Sequence, residues 1–346
     1  HIYYFDIGGK HFNYDYQFFE KKGFPQEYLN AMAIEYAKHK KNINLIFIWP
    51  TAGNKKNSQL LKILNLNGSI VIKKSIDICK KNAWHLVREI YKDEKWLGSN
   101  KSNFIGARNK ALWCFEQNYP LKVFLYESRT DLVKLKSEIR NIYKKDKHSI
   151  HITDNKQEAI SLSKFVFNQN SINWMNKNHF KNFNWFNKLF DDYKNFLIKN
   201  KYKSDDFCIV GSSVMSIYGI RESRDIDFIH LSKTKIQTDI IGISDHSSHP
   251  EYHEILIQRI IEDPSCHFYY NELKVISLKQ LCIFKKKRGE LKDIQDIKLI
   301  NDFTKKNNND HLKLNIKFYT LENLKNYIFL LILKSRYFLY KYIIKK

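Results

Sequence analysis

Residues 207–231 read FCIVGSSVMSIYGIRESRDIDFIHL, and this stretch constrains the chain more than any other. An apolar strand runs into Gly211-Ser212-Ser213, a short helix follows, and a second strand carries Asp225 and Asp227 with one apolar residue between them. Side chains two apart on a strand share a face, so the spacing presents both carboxylates together and turns Ile226 to the opposite layer. Two hard oxygen ligands held close suit Mg²⁺ bridging the phosphates of a nucleotide. A glycine lets backbone approach a phosphate, the helix after it offers N–H groups, and Ser212 and Ser213 add hydroxyls. The same spelling also describes a buried strand, a tight turn and a half-exposed strand that bind nothing.

A second stretch follows at residues 268–300, FYYNELKVISLKQLCIFKKKRGELKDIQDIKLI. It predicts a strand, a Lys-rich helix through Lys285 and Arg288, and a helix start with Lys292, Asp293 and Asp296. Cations there would neutralise a triphosphate, and an Asp in a first helical turn is favoured by the helix dipole. Taken alone it fits a solvated basic helix followed by an ordinary acidic helix start.

The two stretches, in this order, resemble the nucleotidyltransferase superfamily that includes polymerase beta, the antibiotic nucleotidyltransferases and the AbiEii-type toxins. The resemblance implies a Gly-Ser turn before a helix, an Asp-x-Asp strand and a third carboxylate on a later strand. It implies that Gly211, Ser212, Ser213, Lys285, Arg288 and Lys292 hold a nucleoside triphosphate, and that Asp225 and Asp227 hold Mg²⁺. The third carboxylate departs from the family's plain spelling. Asp245, closing a strand near residues 240–244, is the preferred position, and Glu272 the other; if neither serves, the site binds nucleotide without efficient catalysis, because that carboxylate is the expected general base.

Residues 244–254 place His246, His249 and His253 among Asp245, Glu251 and Glu254. Spacings of three and four suit one helical face and zinc, but Pro250 interrupts such a helix, which leaves a loop beside the substrate or a plain polar loop as alternatives.

At 346 residues the chain has room for two domains, and with 43% apolar and 15% aromatic residues it is not disordered. A net charge of +23 would attract phosphates, nucleic acid or an anionic membrane. The joint abundance of Lys, Asn, Ile, Phe and Tyr also fits an AT-rich coding bias, so RNA is a secondary expectation. Five separated cysteines form no CxxC pair and read as buried thiols in a reducing cytoplasm. No signal peptide is visible ahead of the first strands, and no apolar run reaches the length of a bilayer span. Residues 321–346 predict a basic amphipathic helix that packs on the core or lies peripherally on an anionic inner membrane face.

Residues 1–175 predict an α/β domain, with strands near 45–49, 69–72 and 123–126 alternating with helices near 26–39, 82–91, 108–116, 130–143 and 156–167. Residues 49–57 have too few glycines for a phosphate loop. A strand at 148–152 leads to Asp154, predicted to cap the next helix with Gln157, and His151 with Asp154 makes a candidate second site. An aromatic helix at 185–199 leads into the transferase-like region, its apolar spacing that of inter-domain core rather than a base-stacking surface.

The overall expectation is an α/β (α+β) chain: an α/β domain over 1–175, a nucleotidyltransferase-like mixed sheet with helices over 176–320, and a terminal helix over 321–346. The chemistry expected is transfer of a nucleoside monophosphate to a hydroxyl or phosphate acceptor. The chain as a whole is also similar to uncharacterised proteins of bacterial surface-polysaccharide loci, which points the acceptor toward a sugar or sugar phosphate. The alternatives are a toxin-type enzyme acting on RNA, an inactive nucleotide-binding scaffold, and a glycosyl- or phosphotransferase sited in the amino-terminal domain.

Overall fold

The computed structural model describes residues 20–306, apart from 22, 24, 25, 93 and 233. The predicted helix at 321–346 therefore lies outside the described residues. The architecture is mixed α/β, with twelve helices and two sheets among the described residues.

Strand β1 (Ile43–Ile48) is buried along its whole length. Ile43, Leu45 and Phe47 face one core, and Ile46 and Ile48 face the other, which is why the strand reads as a continuous apolar run rather than an alternation. It pairs with β3 (Leu121–Ser128) and with β4 (Ile150–Ile152), and β3 pairs with β2 (Gly68–Ile76), giving the order β2-β3-β1-β4. Every pairing is antiparallel. The alternation of strands and helices expected over 1–175 is present, but it is not wound as parallel crossover units. Helices α2 (Asn57–Asn67) and α5 (Leu132–Tyr143) cover one face through Leu60, Leu64, Leu135 and Ile139. The other face packs against α1 (Gln26–His39), α3 (Trp84–Ile90), α4 (Ile105–Cys114) and α6 (Lys156–Val166).

That second core continues into the rest of the chain through α7 (Gln169–Lys177) and α8 (Asn184–Lys199). The 175/176 division falls inside α7, where Trp174 is buried and donates Nε1–H to the Ile217 carbonyl at 3.0 Å. Asn168 caps α7 and also donates to the carbonyls of Pro264 at 3.2 Å and His267 at 3.1 Å, tying the helix to the second sheet. In α8 the expected apolar face, Phe186, Leu189, Phe190, Tyr193 and Leu197, is buried as core.

The second sheet has the order β7-β6-β5-β9-β8, built from β5 (Phe207–Val210), β6 (Ile226–His230), β7 (Ile243–Asp245), β8 (His267–Tyr270) and β9 (Leu273–Ile276). β6 runs antiparallel to β5 and parallel to β7. β9 runs parallel to β5 and antiparallel to β8. The short helix α9 (Ser213–Ile217) joins β5 to β6, α10 (Ile257–Glu262) precedes β8, and α11 (Leu278–Arg288) and α12 (Leu291–Lys306) close the domain as a packed pair. Gly289, at φ +70°, makes the turn between the last two.

All five cysteines are unpaired, and every one except Cys79 is buried. Among the described residues no helix is long and apolar enough to cross a membrane.

Candidate functional site

The site grows from the end of β5. Val210 pairs with Asp227, so the chain must leave the strand immediately beside that carboxylate. Gly211 does so at φ +68°, a conformation L side chains rarely adopt. A β-carbon there would also lie only 2.5 Å from Asp227 Oδ2.

Asp225 and Asp227 flank Ile226, which is fully buried in the core, and Asp227 is half-buried where Asp225 is exposed. Hydroxyls hold Asp225 in place: Ser223 donates to its Oδ1 at 2.8 Å, and Ser213 donates to its carbonyl at 3.1 Å. Ser213 is fully buried, so its hydroxyl supports the Asp strand instead of facing a triphosphate. Burial, then the neighbouring Asp225, pushes the Asp227 carboxyl up to about 7, against the pull of Arg288, Lys285 and Lys292. A carboxylate so reluctant to ionise is one that a divalent cation would stabilise.

The expected phosphate-binding cations are close by but already engaged. Lys285 is almost fully buried and pairs with Asp293 at 3.0 Å and Asp296 at 2.7 Å. Arg288 makes a two-pronged contact with Asp293, Nε to Oδ2 at 2.9 Å and Nη2 to Oδ1 at 2.7 Å. Arg221, which the sequence reading passed over, forks onto Asp296 at 2.6 and 2.7 Å and also donates to Ser212 Oγ at 3.0 Å. Asp293 and Asp296 therefore clamp α11, α12 and the Gly-Ser turn together. Burial opposes ionisation of Asp293, but the hydrogen bonds from Arg288 and Lys285 prevail and bring its carboxyl down to about 2. Lys292 is different: it is exposed and pairs with Glu290 at 2.9 Å.

Asp245 is not brought to this cluster. The parallel register sets Asp227 opposite Ser244 and Phe228 opposite Asp245, so Asp245 faces the side away from Asp227. There its buried carboxylate accepts from His230 Nε2 at 2.9 Å, the Ile236 N–H at 2.9 Å and the Ser247 N–H at 2.8 Å. Burial alone would raise its pKa, but these bonds, Ser247's foremost, hold it below the usual range. Glu272 is also elsewhere, paired with Lys92 and accepting from Ser161 at 2.9 Å. On the Asp227 side β7 places Ser244, and just past its end His246 sets its Nε2 3.1 Å from Asp227 Oδ1. Burial, then His249, lowers the His246 pKa. The signal that would have found it is the period of two along a parallel strand, counted from the correct register.

The other histidines do not form a zinc site. Residues 250–252 make a single 3-10 turn begun by Pro250, His249 pairs with Glu251 at 3.2 Å, and among the described residues no group of three or more His, Cys, Asp or Glu is arranged to hold a metal. In the first half, His151 pairs with Glu158 at 3.0 Å rather than with Asp154. The cap sits one residue later than predicted: Asn155 accepts from the Glu158 N–H at 2.9 Å, and the Glu158 carboxylate accepts from the N–H of Asp154, the residue before the cap, at 2.6 Å.

The donor set fits Mg²⁺ with a nucleotide. Asp225 and Asp227 supply hard oxygens, Gly211 brings bare backbone beside Asp227, and the three cations Arg221, Lys285 and Arg288 are already paired with Asp293 and Asp296, so a triphosphate would need a divalent cation to balance the charge. Comparisons with protein-family models, curated proteins and solved structures give no match for the chain.

Proposed function

We propose that this chain is a Mg²⁺-dependent nucleotidyltransferase, transferring a nucleoside monophosphate from a nucleoside triphosphate to a hydroxyl or phosphate acceptor. The observation that carries the reading is the Asp225 and Asp227 pair set against the tight Gly211 turn, with the Asp227 carboxyl pushed up to about 7. The resemblance of the Gly-Ser turn, the Asp-x-Asp strand and the Lys-Asp-x-x-Asp helix start to the nucleotidyltransferase superfamily supports it.

In this reading Asp225 and Asp227 hold Mg²⁺, which when bound offsets phosphate charge and makes the α-phosphorus more electrophilic. Gly211 and Ser212 line the triphosphate's path with backbone and hydroxyl. Lys292 supplies a mobile cation, while Lys285 and Arg288 keep the local potential positive from behind, their geometry set by Asp293 and Asp296. His246 orients Asp227 through its Nε2. The acceptor oxygen attacks the α-phosphorus in line, a hydroxyl acceptor giving up its proton to solvent water, the bond from that phosphorus to the bridging oxygen breaks, and pyrophosphate leaves. A sugar or sugar phosphate is the preferred acceptor and RNA the lesser one.

A second reading is a nucleotide-binding scaffold without turnover. It is favoured by the arrangement of β7, which offers Ser244 and His246 where a third carboxylate is expected. Incubation with each labelled nucleoside triphosphate, Mg²⁺ and mixed sugar, sugar-phosphate and RNA acceptors separates the two. Pyrophosphate release with label in an acceptor supports transfer, binding without release supports the scaffold, and neither sinks both.

A further inference from the structure

A cavity of about 1040 Å³ opens in the amino-terminal half, beside the edge strand β4 and among α4, α5 and α6. Asn109, Lys110 and Trp113 share one face of α4, Lys136 and Arg140 one face of α5, and Glu158 lies on α6, all lining it. Helix faces turned toward one another ordinarily carry apolar residues. Here three of them converge with charged, amide and aromatic groups instead.

Three features narrow the ligand. First, two indoles on the lining are left in water, Trp113 at 62% and Trp96 at 45% exposure. The approach of Trp96 is built in: a β-carbon at Gly106 of α4 would fall 1.8 Å from the Trp96 carbonyl oxygen, so only glycine admits that segment. Second, the Nε of Arg140 is buried with no hydrogen-bond partner. An unmet buried donor is costly until an acceptor arrives. Lys110 Nζ lies 5.9 Å from the Tyr91 ring centre and donates to the Lys147 carbonyl at 2.8 Å, placing a second cation on the lining. Third, the amide of Asn109 supplies a mixed donor-acceptor, and Glu158, whose oxygens already accept from the Asp154 N–H and pair with His151, keeps lone pairs for a further donor, the pair that hydroxyls require.

We propose that this cavity binds a phosphorylated sugar, with the C–H face of the ring on the indole of Trp113, the more exposed of the two, the phosphate on Arg140 and Lys110, and ring hydroxyls on Asn109 and Glu158. A simple anion would leave the indoles without a role. A nucleotide would meet the same groups through its base, ribose and phosphate, so UMP is the control that separates the two. The inference stands independently of the transferase reading.

Calorimetric titration of the full chain tests it. The probes are glucose 1-phosphate, glucose 6-phosphate, mannose 1-phosphate, galactose 1-phosphate and N-acetylglucosamine 1-phosphate, against glucose, inorganic phosphate and UMP. The expected result is that at least one sugar phosphate binds about tenfold more tightly than all three controls. Trp113→Ala and Arg140→Gln should each weaken it about tenfold, Arg140→Lys should weaken it less, and the Asp225→Asn, Asp227→Asn variant should leave it unchanged. Trp113 is exposed, so its replacement leaves the fold intact, and melting curves verify this for each variant. No binding across the panel, equal or tighter binding of inorganic phosphate or UMP, indifference to Trp113→Ala, or loss of binding in the double Asp variant would each overturn the proposal.

Discussion

Gly211 and Asp227 approach so closely that a β-carbon on residue 211 would lie 2.5 Å from Asp227 Oδ2. The turn and the carboxylate are thus one construction. Gly211→Ala meets both a positive φ and this contact, so a loss of about 1–3 kcal/mol in stability is expected. Thermal melts should show that loss together with a weakened response to Mg²⁺ and nucleotide. An Ala variant as stable and as responsive as the parent would contradict the geometry.

Asp227 makes a pH-dependent contribution of definite sign. Its folded pKa, about 7, lies above the ordinary 3.8, so the folded state holds the proton more tightly. The associated stability is present below pH 3.8 and is lost as pH rises through about 7. Above that pH, without Mg²⁺, the ionised side chain is a cost on the order of 1–4 kcal/mol. Asp227→Asn should therefore melt higher than the parent at alkaline pH, with the gap closing as the pH is lowered. A variant that melts lower throughout would show that Asp227 is stabilised by its surroundings and not strained by them.

The basic residues divide into two kinds. Lys285→Ala removes a buried cation from between Asp293 and Asp296 and is expected to cost about 3–5 kcal/mol, read by denaturant titration. Lys292→Ala, on an exposed side chain, should change stability by less than about 0.5 kcal/mol and reduce nucleotide affinity several-fold. The reverse ranking would mean that the clamp is not what holds the last two helices.

Asp245 provides a contrasting control. Asp245→Ala leaves His230 and the N–H groups of Ile236 and Ser247 without their shared acceptor, for a loss of about 2–4 kcal/mol. Because the carboxylate faces away from Asp227, the variant's remaining folded population should still be stabilised by Mg²⁺ and nucleotide. Selective loss of that response with an unchanged melting temperature would return Asp245 to the site.

The parts of this arrangement set by short spacing were readable from the chain. Asp225 and Asp227 follow from the period of two, and Gly211 from the turn between an apolar strand and a helix. The face of Asp245 was not readable, because a shift of one residue in pairing exchanges the two sides of a strand, and nothing local sets the register between β6 and β7. Lys285 and Arg288 were located, but their carboxylate partners were not, since Asp293 and Asp296 already had a local explanation as an acidic helix start. In the first half, the sequence of elements was apparent and the antiparallel pairing was not: connections containing helices serve either direction. The cap at Asn155 and Glu158 was displaced by one because Asp154 and Gln157 satisfy the same spacing.

The most direct test of the central claim is the melting temperature of the chain with each of the four nucleoside triphosphates, with and without Mg²⁺, beside the Asp225→Asn, Asp227→Asn variant. A ligand that binds only the folded state raises stability by mass action, by about 2.7 kcal/mol at a hundredfold excess over its dissociation constant. The expected result is a Mg²⁺-dependent rise for at least one nucleotide, present in the parent and absent from the variant. An equal rise in both proteins, or none in the parent, would contradict the assignment of Asp225 and Asp227 as the metal and nucleotide site.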